Sequence, residues 1–465
     1  MRTFALAWRN LLRNRRRSLM TLTAMVLGLT TVLLFGGYFR DINYAMQSDF
    51  VRRTGHLQVQ HKDYFLIGSG NPAAYGIKGY EHIIRTVKAD PVLAPMLVVV
   101  TPSLQFGGVA GNFFAGVSRT VLVNGIVVDD QRRLREWNDY KQRFVSRDVS
   151  LMGTPPDTAV IGAGVARVLQ LCTVLDVPDC EAESAQHETR GEALPDDIAA
   201  LASPIQSQTS KTQSSRRPRI EILAANARGA PNVAAVNVLS AEFQGIKELD
   251  DVYVGLHLVQ AQKLIFGTVQ PQVTSIAVQL RQTAQIPAAR ERLRELLSTV
   301  LKDEPLAVVD YETLNPFYGQ TVGMFAVMFG FISVLIGAIV LFTVTNTMSM
   351  VVVERTAEIG TLRAIGLRRS GIRKMFVTEG IVLGVLGAML GIGAAIGIAW
   401  VINQFGLTWI PPGRMEPIPL AVRVVGENGM LLMSAIGLVV VAALSALLPA
   451  ARAARMNIVD ALRHV

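Results

Sequence analysis

Charge is what this sequence has least of. Only 17% of its 465 residues are Asp, Glu, Lys or Arg, against about 25% in an ordinary soluble protein. Half are hydrophobic, and the mean hydropathy is +0.35. That balance excludes a disordered chain and argues against a purely soluble enzyme. Several motifs are also missing. No GxxxxGK[ST] run occurs, which excludes ATP hydrolysis through a P-loop, and there is no HExxH, GxSxG or paired CxxC. The six histidines, His56, His61, His82, His187, His257 and His464, are scattered. His56 and His61 border a strand and are expected on a surface rather than on a metal. Asp129-Asp130 and Asp250-Asp251 are adjacent pairs, which would point to opposite faces of a strand, and they read as solvated charges. No catalytic, cofactor-binding or metal-binding residue is expected.

The net charge of +9 suggests nucleic acid until it is located. Residues 40–320 hold 28 basic and 30 acidic side chains, so the basic excess lies beside the apolar segments. Membrane topology places it there, and no basic face with interleaved aromatics supports nucleic-acid binding. Four apolar stretches are long enough to cross a bilayer as helices, at 18–39, 321–353, 380–402 and 429–451. Lys and Arg cluster in 1–17, in 354–379 and in 452–465, whereas the 403–428 loop holds only Arg414 and Arg423. The positive-inside rule therefore puts both termini and the 354–379 loop in the cytoplasm, with 40–320 and 403–428 outside. The first span is too long for a cleaved signal peptide and lacks a small-residue cleavage site. None of the four apolar cores contains Asp, Glu, Lys, Arg or His, so an energy source outside the spans is expected.

The block at 40–320 reads as an α+β domain. Gly55–Gln60 alternates like a strand, Val98–Thr101 and Val121–Val128 are β-rich, Thr158–Leu171 reads as strand into helix, and Ala288–Leu301 is an amphipathic helix. The stretch 181–219 is polar and nearly free of aromatics, as a flexible insertion would be. Cys172 and Cys180, eight apart and outside the cytoplasm, are expected to form a disulfide, with two unpaired thiols as the alternative. In the third span Gly380/Gly384, Gly387/Gly391 and Gly393/Gly397 have the small-xxx-small spacing of close helix packing.

The segment 354–379 is short, amphipathic and of mixed charge. Ile359, Leu362 and Ile365 are expected on one face, and Gly366 as a terminator. By itself it suits either an interfacial helix on anionic lipid or a docking element for a cytoplasmic protein. Its sequence, Glu354-Arg355-Thr356-x-Glu358-Ile359-Gly360-x-Leu362-Arg363-Ala364-Ile365-Gly366, resembles the loop after the second span in MacB/FtsX-type ABC permeases. The C-terminal Leu448–Arg463 resembles that family's closing motif, with Ile458 where proline is usual. Ala7-x-Arg9-Asn10-Leu11-x-Arg13-Asn14 fits the family's start. A looser likeness, in Gly55–Val59, Gly245–Asp250 and Val259–Leu264, is to the lipoprotein-releasing LolC/LolE branch.

The resemblance implies a bacterial inner-membrane permease with one span, a large periplasmic domain, then three spans. It implies a second permease copy or paralogue and two copies of a cytoplasmic ABC ATPase. ATP and magnesium would be bound there, leaving no cofactor in this chain. Glu354, Arg355, Glu358, Ile359, Gly360, Leu362, Arg363, Ala364, Gly366, Arg368 and Arg369 would form the coupling surface for that ATPase. The cargo would be an envelope lipoprotein met beside membrane lipid; efflux through an adaptor, or signalling to an external hydrolase or other periplasmic partner, are the alternatives.

Overall fold

The computed structural model describes residues 15–68, 72–142, 149–178, 217–302, 304–410 and 417–456. The Ala7–Asn14 motif, most of the polar stretch 181–219, Cys180 and residues 457–465 lie outside the described residues. Two compact units are formed, one from Met1–Met46, Phe317–Trp409 and Ile418–Val465, the other from Gln47–Pro316 and Ile410–Pro417.

The described chain begins with α1 (Arg15–Thr54), which runs on past Phe39, where the apolar stretch ends. The sheet domain follows. Its strands are β1 (Leu57–His61), β2 (Leu97–Asn112), β3 (Val117–Ile126), β4 (Thr158–Gly162), β5 (Arg219–Ala225), β6 (Pro231–Glu242), β7 (Tyr253–His257), β8 (Ser275–Leu280) and β9 (Leu306–Asp310). Between them lie α2 (Tyr80–Ala89), α3 (Val128–Glu136), α4 (Ala163–Val168), α5 (Leu258–Phe266) and α6 (Ile286–Thr299). The sheet order is β3-β7-β4-β6-β5-β2-β8-β1-β9, with β3 also paired to β2. The first six strands therefore close into a ring, and β8, β1 and β9 extend from it.

The long strand β2 makes the closure possible. Its first half pairs with β8 from Leu97 to Ser103, while its second half pairs with β3 from Ser103 to Asn112 and with β5 at Val109–Gly111. Strict alternation along β5, with Ile220, Ile222 and Ala224 buried and their neighbours exposed, gives the ring one dry face. On α6, Ile286, Ala289, Leu293, Leu296 and Leu297 are buried, and Val300, just past its end, is exposed.

Two readings of single residues are overturned here. His56 is not on a surface: its exposure is 0%. Gly55 ends α1, and the chain then turns so that His56 N donates to Val278 O, Leu280 N donates to His56 Nδ1 at 3.0 Å, and the ring stands edge-on to Trp137. Asp250 is not a solvated charge either. It is 1% exposed and accepts a hydrogen bond from Gln244 N. Asp129 and Asp130 open α3, so neither pair lies in a strand.

The rest of the chain is helical: α7 (Pro316–Glu354), α8 (Thr356–Ala364), α9 (Arg369–Phe405) and α10 (Asn428–Arg455), with the small β10–β11 pair (Thr408–Trp409, Ile418–Pro419) between α9 and α10. Helices α1, α7, α9 and α10 are each long and apolar enough to cross a membrane. Helix α9 starts at Arg369, before the apolar stretch, and continues unbroken to Phe405.

The glycine face of α9 is divided between two neighbours. A Cβ on Gly380 would lie 2.9 Å from Ala442 O and Ala446 Cβ of α10, and one on Gly384 would lie 3.0 Å from Ala442 Cβ. A Cβ on Gly387 or Gly391 would meet Met25 or Leu29 of α1 at 3.0 Å. Gly393 and Gly397 have no such neighbour within 4 Å among the described residues.

Pro449 inside α10 cannot donate to the carbonyl of Ser445. Thr345 Oγ1 of α7 donates to that carbonyl at 3.2 Å and satisfies it.

Two outcomes follow. Gly380→Leu should lower stability by about 1–3 kcal/mol through overpacking, and Gly393→Leu should change it little, both read as thermal unfolding of the detergent-purified chain. Burial pushes the His56 pKa down from 6.5 to about 3. The unfolded chain then takes up this proton first, so stability is full above pH 6.5 and falls as pH drops toward 3. From pH 7 to 5 the loss should be about 2 kcal/mol, and His56→Gln should remove that slope in pH-dependent unfolding.

Candidate coupling surface

The surface is built where α7 ends. Arg355 breaks the helix, and α8 begins at Thr356. Arg355 Nη1 lies 3.2 Å from Glu379 Oε1 on α9, with side-chain exposures of 5% and 3%. Two buried opposite charges require each other, since either alone would be an uncompensated charge. Arg355 therefore faces inward and is withdrawn from the surface on which the motif placed it.

Beside the pair, Ile359 packs with Val352, Ile372, Met375, Phe376, Ala450, Ala453 and Ala454. This cluster joins α7, α8, α9 and α10. Gly360 is buried next to it. Arg363 adds a tie, donating from Nη1 to the Met456 carbonyl at the end of α10.

The far end of α8 closes with a Schellman pattern. Gly366 N donates to Arg363 O and Leu367 N to Leu362 O, both at 3.0 Å. Gly366 has φ +101°, a backbone conformation that side-chain-bearing residues adopt only with strain. The reversal directs the chain into α9 and leaves Leu362, Ile365 and Leu367 exposed, Ile365 at 79%. Ala364, Arg368 and Arg369 are exposed beside them, and Glu354 and Glu358 are exposed at the other end.

The expected apolar face is thus split. Ile359 belongs to the inner cluster, while Leu362 and Ile365 look outward. Spacing alone could not separate them, because residues three apart on a helix are successively offset by about 60°. The motif also missed Glu379, Leu367 and the Met456 carbonyl. Glu379 carried a signal, as the last acid before the apolar run of the third span.

The sheet domain holds a cleft of about 710 Å³, with Pro102, Ile126, Leu151 and Leu258 in its floor and Arg85 and Asp129 in its lining. It opens at the ends of the parallel strands β3 and β7, where Ile126 is in register with His257. His257 Nε2 lies 3.0 Å from Thr154 Oγ1. Thr154 Oγ1 also lies within hydrogen-bond distance of the Leu151 carbonyl, at 2.7 Å. Burial pushes the His257 pKa down. Among the described residues no group of three or more His, Cys, Asp and Glu could hold a metal. Cys172 is buried and disulfide-bonded, and its expected partner Cys180 lies outside the described residues.

With this geometry in hand, residues 330–458 match the family described as FtsX-like permease C-terminal. Over these residues the chain is similar to ABC permeases of the MacB/FtsX type. It is 35% identical over 147 residues to the ABC transporter permease YtrF of Bacillus subtilis, covering 29% of this chain and 31% of that one. It is 28% identical over 207 residues to the macrolide export ATP-binding/permease protein MacB of Neisseria gonorrhoeae, covering 42% and 30%. It is 32% identical over 197 residues to the uncharacterized ABC transporter permease YvrN of Bacillus subtilis, covering 41% and 44%. The chain thus spans less than half the length of each. The extracellular domain of the noncanonic ABC-type transporter YknZ, from Gram-positive bacteria, aligns over 55% of this chain and 98% of that one at 15% identity, with a TM-score of 0.27.

Removing one member of the buried pair tests its role. Arg355→Ala should cost about 3–5 kcal/mol, whereas the apolar double replacement Arg355→Met/Glu379→Leu should restore most of it. Unfolding of the purified chain in detergent measures both.

Proposed function

We propose that this chain is a non-catalytic permease subunit driven by a separate ABC ATPase that docks on α8. The observation that carries the reading is the division of that helix. Its inner side is bound to α7, α9 and α10 through Arg355, Ile359 and Arg363, while Leu362, Ile365 and Leu367 form an exposed apolar edge flanked by Arg368 and Arg369. A rigid helix tied to three long helices can pass a partner's displacement to all of them. An exposed apolar edge with a charged rim is the composition of a protein-docking patch.

Two ATPase copies and a second permease, identical or related, complete the assembly in this reading. It lies in a bacterial inner membrane with the sheet domain in the periplasm. The cargo is an amphiphilic envelope substrate, with lipoprotein release as the first choice. The export function named for the MacB relatives supports efflux as the second. Signalling to an external hydrolase is the third.

Purification in nanodiscs, read by mass spectrometry with lipid detection, tests these. A separate ATPase with acylated lipoproteins supports release. An ATPase with a periplasmic adaptor supports efflux, and one with a hydrolase supports signalling. Recovery of no ATPase overturns the permease reading. Within this scheme Ile365→Asp should reduce ATPase recovery at least about tenfold, the equivalent of ~1.4 kcal/mol, while the chain still inserts. Quantitative pull-down checks it.

A further inference from the structure

The segment between α9 and α10 holds α1 by several independent contacts. Asn403, near the end of α9, brackets Val422: its Nδ2 donates to Val422 O at 3.0 Å, and Val422 N donates to its Oδ1 at 2.9 Å. Val422 and Val424 enter the same apolar cluster as Leu33 of α1. Between them, Arg423 N donates to the Gly37 carbonyl at 3.1 Å. Arg423 Nε donates to Asp41 Oδ1 at 2.8 Å, and its guanidinium lies over the Tyr44 ring, 5.5 Å from the centroid.

Asp41 is buried, so its charge depends on such partners. Glu427, at the start of α10, accepts from Tyr44 Oη at 3.0 Å and lies 3.7 Å from Arg40 Nε. Gly37 permits the approach: a Cβ there would sit 2.6 Å from Arg423 O. Residues 37–44 of α1 are thus gripped from α9 through Asn403 and from α10 through Glu427.

We propose that Asn403, Arg423 and Glu427 are positioning residues that clamp α1 to α9 and α10 as one rigid body at their outer end. Displacement that begins at α8 then reaches α1 through this segment as well as through the helix packing. This rests on the permease reading for the source of the displacement. The clamp itself rests on the contacts alone. A hydrogen-bonded ion pair closed over an aromatic ring is short-ranged and directional, so it resists sliding and splaying better than apolar packing does.

The test uses the full chain in nanodiscs with its co-purified ATPase. Spin labels at Met46→Cys and Phe405→Cys report the separation of α1 from α9 by pulsed electron resonance, without nucleotide and with ATP and vanadate. In the parent the distance within one chain should be narrow and the same in both states. Asp41→Asn and Arg423→Gln should broaden it and make it nucleotide-dependent, and the exchanged pair Asp41→Arg/Arg423→Asp should narrow it again. A parent distance that shifts by about one helical turn, roughly 5 Å, between states would overturn the proposal. So would broken-clamp variants as narrow as the parent. Absence of an ATPase overturns the permease reading and the transmission with it, while the nucleotide-free widths still decide whether the clamp exists.

Discussion

The close approach of α9 to its two neighbours is the constraint on which the membrane unit depends. In lipid there is no hydrophobic gain in bringing apolar helices together, so association rests on tight packing and on a few polar contacts. Gly380 and Gly384 admit α10, and Gly387 and Gly391 admit α1. Thr30 Oγ1 donates to the Gly391 carbonyl at 3.2 Å at that second contact. Glu379, which holds Arg355, immediately precedes the first of these glycines. The stretch that fixes the distance between helices is therefore continuous with the one that fixes α8.

The four long helices, the outer α+β domain and the short amphipathic segment were legible because each has a strong one-dimensional signature. Length and hydropathy define a span, and Gly366 marks a helix end by its backbone requirement. The ring of strands was not legible. Its closure joins β2 to β3 and β5 and runs through β4 and β7 in both parallel and antiparallel senses, and no local pattern encodes such pairings. His56 misled for a related reason. Its position beside a strand end looks solvated in sequence, whereas the ring caps a backbone N–H contributed from Leu280, far along the chain. At α8 the motif marked a stretch that folds as a short helix but not which of its sides is buried. Arg355 and Ile359 differ from Leu362 only in which neighbours reach them, and those come from α9 and α10.

The membrane unit also shows how polar groups are distributed around an apolar frame. The span cores are without charge, but charges are paired near both ends of the helices: buried Arg355 with buried Glu379 at one, partly exposed Arg423 with buried Asp41 at the other. Within the frame, the carbonyl released by Pro449 accepts from a threonine hydroxyl. Each arrangement answers the same requirement, that a desolvated polar group must find a partner inside the protein.

The sheet domain has one further property. Strand β1 lies between β8 and β9, and Leu57 pairs with Asp310 while His61 pairs with Leu306. The chain thus enters and leaves the domain along hydrogen-bonded neighbouring strands, although about 250 residues separate them, and little loop-closure entropy would be at stake if that intervening length changed. In evolutionary terms the domain is a cassette. Recombination at this strand pair could replace what lies between while leaving both flanking helices and their registers untouched.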